Sequence, residues 1–279
     1  AKVRWDLANL GLLKDDVSKF DALLRNTSGI LLVTGPTGSG KTTTLYSCID
    51  KINTKDRKIL SIEDPIEYEI GGITQIQVNP DVGLTFARGL RSMLRQDPDV
   101  MMVGEIRDKE TAEIAIRVAL TGHLVLSTLH TNDAASGVTR LVDIGIPPYL
   151  LESTVKAFIA QRLVRVICDG CREEDRDDQL SVKEKIVRSM GSGSAGAIKI
   201  YKGRGCEKCS FTGFHGRTAI FEILVLTDEI RRMISLGSPA SEINKVAVER
   251  NGMRTLIQDG WIKVTGGITT PDEILNVCQ

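Results

Sequence analysis

The sequence is poor in the features that point to nucleic acid or to a membrane. Lysine plus arginine and aspartate plus glutamate number 36 each, so no overall positive field attracts a polyanion. Aromatic residues make up 4% of the chain, which leaves few rings on which bases could stack. No apolar run approaches the roughly 20 residues that a membrane-spanning helix needs. These shortages disfavour a nucleic-acid translocase and an integral membrane protein.

The amino-terminal stretch, AKVRWDLANL, also lacks the charged-then-apolar pattern of a secretory signal. We therefore expect a cytoplasmic chain, which can still dock on a membrane partner. It starts with Ala1 rather than Met, which indicates a segment of a longer protein. Its 279 residues, 42% hydrophobic and 26% charged, suffice for one large or two smaller globular domains.

Short apolar runs alternate with helical segments along the first part of the chain. GILLVTG, KILSIED, DVMMVGE and HLVLSTLH are typical of buried strands, and KTTTLYSCIDKI, TFARGLRSMLRQD and DKETAEIAIRVAL are typical of helices. Unalternating strands separated by helices predict a mostly parallel sheet covered on both faces. We also predict a short helix before residue 28, a helix over PPYLLESTVKAFIAQRLVRVIC, and three or four short helices after GFHGRTAIFEILVL.

A glycine-rich stretch links the first of these strands to the helix that follows it. GPTGSGKT fits the G-x-x-x-x-G-K-T spacing of a phosphate-binding loop, in the strand–loop–helix context that the motif requires. Backbone N–H groups of such a loop point at phosphate oxygens, Lys41 reaches the β- and γ-phosphates, and the Thr42 hydroxyl can ligate Mg²⁺. The alternative is a structural turn with a solvated lysine. With ATP and Mg²⁺ as cofactors, the predicted nucleotide-binding residues are Gly35, Pro36, Thr37, Gly38, Ser39, Gly40, Lys41, Thr42 and Thr43.

Carboxylates follow two other predicted strands. DVMMVGE ends in Glu105, which is positioned to hold Mg²⁺ directly or through water, although many phosphate-loop enzymes have Asp there. SIEDPIEYE supplies Glu63, Asp64 and Glu67, one of which can polarise an attacking water. Such an acidic loop is more often a solvated turn when it stands alone. Beside a phosphate loop, the catalytic interpretation is favoured.

Two of the three histidines stand at the ends of one predicted strand. His130 precedes a polar tail, TND, at the point where a sensor of the γ-phosphate would sit in such a sheet, so a functional role is favoured over a structural one. For His123, at the other end, both interpretations stay open.

Four of the six cysteines form two C-x2-C pairs, CDGC and CEKC. Two such pairs separated by a few tens of residues are the usual way to place four thiolates around zinc, and the alternative is four unrelated cysteines. The predicted zinc ligands are Cys168, Cys171, Cys206 and Cys209, whereas Cys48 and Cys278 are expected to be core or surface thiols. The segment between the pairs is first acidic, then helical, then small and flexible at GSGSAGA (191–197), which is either a natural mobile loop or an engineered replacement.

The motifs together resemble a known family. GPTGSGKTTTLY, SIEDPIEYEI, LRQDPDVMMVGEIRD and TGHLVLSTLHTNDA, followed by the cysteine pairs and GFHGRTAIFEIL, resemble the ATPase half of type II secretion and type IV pilus assembly motors over nearly the whole chain. In that family the last three of the four boxes are the Asp, Walker B and His boxes. The resemblance implies Glu67 as the water-polarising glutamate and Glu105 as the magnesium-side acid. Glu63 is the next candidate for the base, since it is on the same loop as Glu67. It also implies five arginines that could meet phosphate or a neighbouring subunit: Arg91, Arg95, Arg107, Arg140 and Arg217.

The resemblance further implies a fold and a setting. The expected fold is α/β: a RecA-like phosphate-loop core over 1–166, a small tetracysteine zinc lobe over 167–216 and a C-terminal helical subdomain over 217–279. The expected activity is ATP hydrolysis by a homo-hexamer that drives inner-membrane platform proteins from the cytoplasmic face of that membrane. Retraction motors of the pilus lack the tetracysteine lobe, which favours an assembly or secretion motor.

Two other classes of function remain as alternatives. One is a zinc-containing nucleotide switch or adaptor with little turnover, and the other is a nucleic-acid translocase on the same core. Zero net charge and scarce aromatics disfavour the translocase, so no nucleic-acid partner is expected. The motifs do not distinguish secretion from pilus assembly, and the domain that precedes this one in the family, which supplies further arginines, is not in this sequence.

Overall fold

The computed structural model describes residues 7–176, 180–191 and 195–278. The chain divides into two compact units, each built from two stretches of sequence. Unit 1 runs up to Gln161 and resumes over Ile223–Met253, and unit 2 comprises Arg162–Glu222 and the described residues from Arg254 onward. The three segments predicted from the sequence are consecutive, whereas these units are not, and the three-part division stays a prediction.

The described residues form helices and strands with the following bounds. The strands are β1 Gly29–Thr34, β2 Ile59–Glu63, β3 Thr74–Gln77, β4 Val100–Val103, β5 Leu124–Leu129, β6 Val155–Ile167, β7 Arg172–Glu174, β8 Tyr201–Gly203 and β9 Phe214–Val225. The helices are α1 Lys14–Leu24, α2 Lys41–Ile52, α3 Phe86–Leu94, α4 Lys109–Leu120, α5 Ser136–Asp143, α6 Pro148–Thr154, α7 Leu180–Met190, α8 Asp228–Ser235, α9 Ala240–Glu249, α10 Leu256–Thr265 and α11 Pro271–Val277. Short 3-10 turns lie at Leu7–Leu10, Pro80–Val82, Ala195–Ala197 and Glu207–Cys209.

The main sheet has seven strands in the order β3-β2-β4-β5-β1-β6-β9. β1 pairs in parallel with β5 and β6, β2 with β3 and β4, and β4 with β5. Every residue of β1, β2, β4 and β5 is buried, as expected for parallel strands covered on both faces. The predicted α/β fold with a mostly parallel sheet is therefore confirmed.

Two of the helices that flank these strands, α3 and α4, begin at a side-chain cap. The Thr85 hydroxyl accepts from the Arg88 N–H at the start of α3, and the Asp108 carboxylate accepts from the Thr111 N–H (2.8 Å) at the start of α4. Each such cap satisfies one of the N–H groups left open in the first turn and contributes about 1 kcal/mol. In α1, the short helix predicted before residue 28, Phe20 is buried together with Leu23 and Leu24, while Val17 is partly exposed.

The prediction of a single helix over PPYLLESTVKAFIAQRLVRVIC is wrong beyond Thr154. There α6 ends and β6 begins, pairing with β1 so that Phe158 lies opposite Leu32. The first residues of β6 are nearly all buried, so this strand lacks the alternation of apolar and polar residues that would have marked it in the sequence. Pairing with a strand far earlier in the chain decides its conformation, and the local pattern does not.

Unit 2 contains a two-stranded antiparallel sheet, β7 with β8, and is held together by buried charge. The Lys263 ammonium lies 2.5 Å from Asp259 Oδ2, and the two side chains are 2% and 1% exposed. The same carboxylate oxygen accepts from the Phe221 N–H (2.9 Å), which ties α10 to β9. Removal of the Asp259 carboxylate would leave the buried Lys263 ammonium without this partner, at a cost of about 3–5 kcal/mol.

The region between the cysteine pairs and the C-terminal region match the predicted order of elements. α7 supplies the predicted helix between the pairs, and α8 to α11 supply the predicted short C-terminal helices. Of the predicted flexible run 191–197, residues 192–194 lie outside the described residues.

Gly203 has a packing reason to be glycine, because a Cβ there would lie 2.0 Å from the carbonyl oxygen of Gly213.

Candidate functional site

Parallel strands in unit 1 end at one edge of the sheet, and the predicted site residues follow them. Backbone hydrogen bonds hold these ends together: the Gly104 N–H donates to Ile62 O (2.8 Å), and the Gly35 N–H donates to Leu129 O (3.3 Å). Ligands of open α/β sheets bind beyond this carboxyl edge. The edge carries residues 35–40 after β1, Glu63 at the end of β2, Glu105 after β4 and His130 after β5.

The glycine-rich loop, residues 35–40, connects β1 to α2. Gly38 and Gly40 have left-handed backbone angles, with φ of 79° and 88°, which glycine adopts without strain. A Cβ at Gly35 would lie 2.6 Å from the carbonyl oxygen of Gln161, so the close approach of β6 requires glycine there. The Ser39 hydroxyl is buried and has no hydrogen-bond partner among the described residues. A buried unpaired hydroxyl in a glycine-rich loop is what a ligand with acceptor oxygens would satisfy.

Lys41 opens α2 and folds back over this loop. Its ammonium donates to the carbonyl oxygens of Gly35 (2.8 Å) and Pro36 (3.0 Å). Lys41, Thr42 and Thr43 are half-buried in the first turn of a 12-residue helix, whose free N–H groups make its amino end electropositive. One turn later the Thr44 hydroxyl donates to Gln161 Oε1 (2.7 Å), which fastens the helix to β6.

Glu105, Arg107 and His130 form a charged cluster beside Lys41. The Arg107 guanidinium pairs with one oxygen of the largely buried Glu105 carboxylate, and His130 Nε2 lies 3.4 Å from the other. Burial of the ring and then the positive charge of Lys41 lower the pKa of His130, and the negative charge of Glu105 partly opposes them. The structure thus brings these predicted residues together.

Glu63 is 2% exposed, and both of its oxygens accept hydrogen bonds. The Tyr46 hydroxyl donates to Oε2 (2.5 Å), and Ser61 Oγ (2.6 Å) and Gln75 Nε2 (3.0 Å) donate to Oε1. Burial of Tyr46, followed by its bond to this carboxylate, raises the pKa of the phenol above its ordinary value. The carboxylate is therefore enclosed by donors from α2, β2 and β3.

Glu67 lies in the acidic loop, residues 64–70, and its side chain is exposed. The buried Tyr46 hydroxyl contacts the backbone of this loop: the Glu67 N–H donates to its oxygen (3.3 Å), as does the Tyr68 N–H (3.5 Å). The peptide bond between Asp64 and Pro65 is cis. Of the two candidate bases, Glu67 is thus the one open to solvent.

The five candidate arginines are not gathered at this edge. Arg107 contacts Glu105, whereas Arg91 pairs with Glu110 (2.6 Å) on an exposed surface. The guanidinium of Arg95 donates to the carbonyl oxygen of Arg91. The last two, Arg140 in α5 and Arg217 in β9, are exposed, and within the described part of the chain neither forms an ion pair.

His123 lies at the amino end of β5, at the opposite end of the strand from His130. Its Nδ1 is 3.1 Å from Val118 O and 3.1 Å from the Thr121 hydroxyl, both in the last turn of α4 or next to it. These contacts favour the structural interpretation of His123, as a side chain that satisfies the end of a helix.

The sequence patterns did not single out several residues that hold this site together. Three of them, Tyr46, Gln75 and Gln161, bond residues 12 or more positions away in the sequence. The fourth, Ser61, bonds Glu63 two residues further along the same strand. The one available signal was polar residues inside otherwise apolar runs, as in ILSIE and FIAQRL. A buried polar side chain needs a partner, so such residues mark networks even where they do not reveal the partner.

The four predicted cysteines form a cluster in unit 2, with all sulfurs within 4.8 Å of one another. The Sγ–Sγ distance is 3.9 Å for Cys168–Cys206 and for Cys171–Cys209, and 3.8 Å for Cys206–Cys209. A disulfide would need about 2.0 Å. Four sulfurs at about 2.3 Å from a tetrahedral zinc lie about 3.8 Å apart, so the cluster has the dimensions of a zinc site.

Backbone groups of the cysteine cluster are arranged to stabilise thiolates. The N–H groups of Cys206 and Gly213 donate to Cys209 Sγ (3.2 and 3.3 Å), and the Gly205 N–H donates to Cys171 Sγ (3.3 Å). Burial opposes ionisation of both thiols: it raises the pKa of Cys171 to about 11 despite the Gly205 N–H, whereas the backbone donors lower the pKa of Cys209 to about 6. The thiolate is the form that binds metal.

Comparison with known proteins identifies the family. The family described as "Type II/IV secretion system protein" matches residues 1–276, so the chain belongs to it. Over 276 residues the chain is 50% identical to "Type II secretion system protein E" of Pseudomonas aeruginosa, covering 99% of this chain and 54% of that protein. It is 49% identical to "Type IV pilus assembly ATPase PilB" of Thermus thermophilus, covering 97% of this chain and 30% of that protein. The chain thus spans about half or less of the length of these relatives.

Solved structures agree with this assignment. The pilus retraction motor PilT, solved with bound ADP, superposes with a TM-score of 0.71 at 31% identity, covering 98% of this chain and 66% of that one. The ATPase DotB of Legionella pneumophila gives a TM-score of 0.68 at 27% identity, covering 98% and 64%. No helix among the described residues has both the length and the apolar character needed to cross a membrane.

Proposed function

We propose that this chain is the ATP-hydrolysing part of a motor for type II secretion or type IV pilus assembly. The main support for this proposal is the glycine-rich loop at the carboxyl edge of the parallel sheet. Within this loop the buried Ser39 hydroxyl has no partner among the described residues, and Lys41 lies next to it. Two relatives that match nearly the whole chain support the proposal: one is a type II secretion system protein, and the other is a type IV pilus assembly ATPase. PilT, which superposes over 98% of this chain, was solved with bound ADP, and this supports a nucleotide as the ligand.

Residues 35–43 would hold the phosphates. Ser39 and the backbone N–H groups of the loop supply donors, and Lys41 would exchange its two loop carbonyls for the β- and γ-phosphate oxygens. Thr42, in the first turn of α2, and Glu105, across the edge, have the oxygen donors that Mg²⁺ prefers. When bound, Mg²⁺ would neutralise charge that develops on the transferred phosphoryl group.

Glu67 would accept the proton of the attacking water. Its side chain is exposed, whereas both Glu63 oxygens already accept hydrogen bonds inside the protein. His130 lies within reach of the field of Lys41 and of Glu105, which suits a sensor of the γ-phosphate. Glu63 then supports the loop and does not act as the base.

The cysteine cluster would hold one Zn²⁺. The Sγ–Sγ distances of 3.8–3.9 Å fit a tetrahedral tetrathiolate, and all four positions are filled by protein, so the role is structural. The ion would stabilise unit 2 and would leave no open position for substrate or water.

The working assembly would be a closed homo-hexamer that acts on inner-membrane platform proteins from the cytoplasmic face. Phosphoryl transfer gains about 10³ to 10⁵ in rate from an arginine finger, and Lys41 alone is a small supply of positive charge. Arg140 and Arg217 are exposed and form no ion pair within the described residues, so either is available to a neighbouring subunit's nucleotide. Head-to-tail contacts that close into a ring would pair each site with such an arginine.

Steady-state phosphate release from Mg²⁺-ATP tests the proposal. We expect turnover that rises per chain with protein concentration, because assembly completes each site. A chain that binds ATP without releasing phosphate at any concentration would instead be a nucleotide switch or adaptor. A band shift with single-stranded or duplex DNA at low salt would favour the translocase.

Mixing two inactive variants tests the shared site. Glu67→Gln and Arg217→Ala should each be inactive alone, and together they should recover part of the wild-type rate, because some boundaries would pair an intact glutamate with an intact arginine. Arg140→Ala in place of Arg217→Ala distinguishes the two candidates. Mixtures that stay inactive with both arginine variants would contradict a shared site.

A further inference from the structure

We propose that Tyr46 is a positioning residue for the reaction: its buried hydroxyl holds the backbone of the acidic loop, from which Glu67 projects. The inference rests on the proposed function, since it concerns the glutamate that would activate water.

The contacts of the Tyr46 hydroxyl carry this inference. The residue is 0% exposed, and its oxygen lies between a carboxylate on β2 and two amides of the acidic loop. It donates to Glu63 Oε2 (2.5 Å) and accepts from the N–H groups of Glu67 (3.3 Å) and Tyr68 (3.5 Å). One hydroxyl group thus joins α2, β2 and the acidic loop.

The direction of these bonds follows from the chemistry of a phenol. A tyrosine hydroxyl has one proton to donate and lone pairs that accept. Because Glu63 takes the proton, the lone pairs of Tyr46 are left to face the amides of Glu67 and Tyr68. Glu63 therefore acts through Tyr46: the buried carboxylate sets the orientation of the hydroxyl that holds the loop.

Gln75, on β3, also forms hydrogen bonds with the backbone of this loop. Its Nε2 donates both to Glu63 Oε1 (3.0 Å) and to the carbonyl oxygen of Tyr68 (3.1 Å), and its Oε1 accepts from the Ile70 N–H (2.8 Å). Tyr46, Glu63 and Gln75 form a clamp, hereafter the Tyr46–Glu63–Gln75 clamp. It fixes backbone groups of residues 67, 68 and 70 against one buried carboxylate.

Through the clamp, one helix positions both the catalytic glutamate and the phosphates. Lys41 opens α2, and Tyr46 lies further along the same helix. A nucleotide held at the amino end of α2 and a glutamate held through Tyr46 thus share one rigid element. A catalytic group displaced by about 1 Å can lose about a hundredfold in rate, so loss of the hydroxyl should affect turnover while leaving phosphate binding intact.

Tyr46→Phe is the direct test, because it keeps the buried ring and removes only the hydroxyl. We expect kcat for ATP hydrolysis to fall by about tenfold to a hundredfold, with the nucleotide Kd unchanged. Hydrogen exchange of the Glu67 and Tyr68 amides should become faster. Tyr149→Phe, which removes a hydroxyl from an exposed tyrosine on α6, is the matched control and should change neither rate nor exchange.

The outcomes separate the clamp from a merely structural hydrogen bond and from failure of the proposed function. A Tyr46→Phe protein with wild-type kcat, or one whose kcat falls only in step with nucleotide affinity, would overturn the inference. If the wild type hydrolyses no ATP, the proposed function fails, and unchanged amide exchange at Glu67 in Tyr46→Phe would overturn the clamp independently. If Tyr46→Phe does not fold, Gln75→Leu decides, with the same expected fall in kcat and faster exchange at Ile70.

Discussion

The glycine-rich edge of unit 1 and the cysteine cluster of unit 2 hold their polar groups in different ways. At the edge, protein groups form hydrogen bonds with one another: the Lys41 ammonium donates to two loop carbonyl oxygens, and the Glu63 carboxylate accepts from three donors. In the cluster, four sulfurs lie within 4.8 Å of one another, with backbone N–H groups as their hydrogen-bond donors. Apart from the buried Ser39 hydroxyl and one oxygen of Glu105, the first arrangement is satisfied within the described protein, whereas thiolates this close repel one another unless a cation lies between them.

This difference indicates where each region gets its rigidity. The edge is built on the ends of buried parallel strands, so its geometry comes with the sheet. The cluster is built on turns, and Ser210 and Phe211 beside it have left-handed backbone angles, with φ of 51° and 60°. We expect the edge to keep its shape with or without nucleotide, and the cluster to depend on the zinc proposed for it.

Loss of zinc should give the largest effect. Cys206→Ser should lower the metal content from one zinc per chain and unfold the turns around residues 168–171 and 206–213, because a structural zinc contributes about 10 kcal/mol or more to the folded state. Nucleotide binding at the edge of unit 1 should survive. Metal analysis, hydrogen exchange and ADP binding measure the three expectations.

Cys278→Ser is the matched control for this experiment, since Cys278 lies outside the cluster. It should retain full metal content. A wild-type chain purified without chelator that contains no zinc and is nevertheless folded around the cluster would contradict this difference, because the cluster would then not need a metal to fold.

Lys41→Ala should give the second largest effect. The ammonium would contact phosphate in both the ground state and the transition state, so we expect weaker nucleotide binding and a fall in turnover of about 10²- to 10³-fold. Calorimetry with ADP and phosphate release with ATP measure the two losses. Lys55→Ala, an exposed lysine after α2, should change neither, and a Lys41→Ala chain with normal nucleotide affinity would remove the glycine-rich loop from the account.

The titration of His130 should give the smallest effect. Burial and Lys41 lower the pKa of this ring, so it should be neutral at pH 7. Because the folded pKa lies below the unfolded value of about 6.5, the stability that the neutral ring contributes is present above that pH and is lost as the pH falls through the folded pKa. Lys41→Ala should raise the pKa of His130, and Glu105→Gln should lower it.

The chain has three histidines, so NMR can follow the His130 ring directly. Lys55→Ala again serves as the control and should leave the titration unchanged. A midpoint that does not respond to Lys41→Ala would mean that these two side chains do not share one electrostatic cluster.

The sequence predicted the sheet better than it predicted the network beneath the acidic loop. Strands such as ILLVT and VMMV are apolar on both faces and separated by helices, so their parallel pairing could be expected before the structure. The conformation of β6 could not, because its apolar pattern fits either a helix or a buried strand and only pairing with β1 decides between them.

Site residues divide in the same way. The glycine-rich loop and the cysteine pairs are local spacings, and the structure brings the members of each together. The Tyr46–Glu63–Gln75 clamp joins residues from α2, β2 and β3, which no local spacing reveals. Buried polar networks of this kind depend on tertiary contacts, and they are where pattern-based prediction ends.

Separating nucleotide binding from hydrolysis in Glu67→Gln tests the central claim most directly. The substitution keeps the size of the side chain and removes its capacity as a base, and Glu69→Gln, exposed in the same loop, is the matched control. We expect Glu67→Gln to bind ATP with wild-type affinity and to lose at least about a hundredfold in steady-state phosphate release, while Glu69→Gln retains both. Phosphate release by Glu67→Gln at the wild-type rate would contradict the assignment of the catalytic glutamate and, with it, the account of the acidic loop.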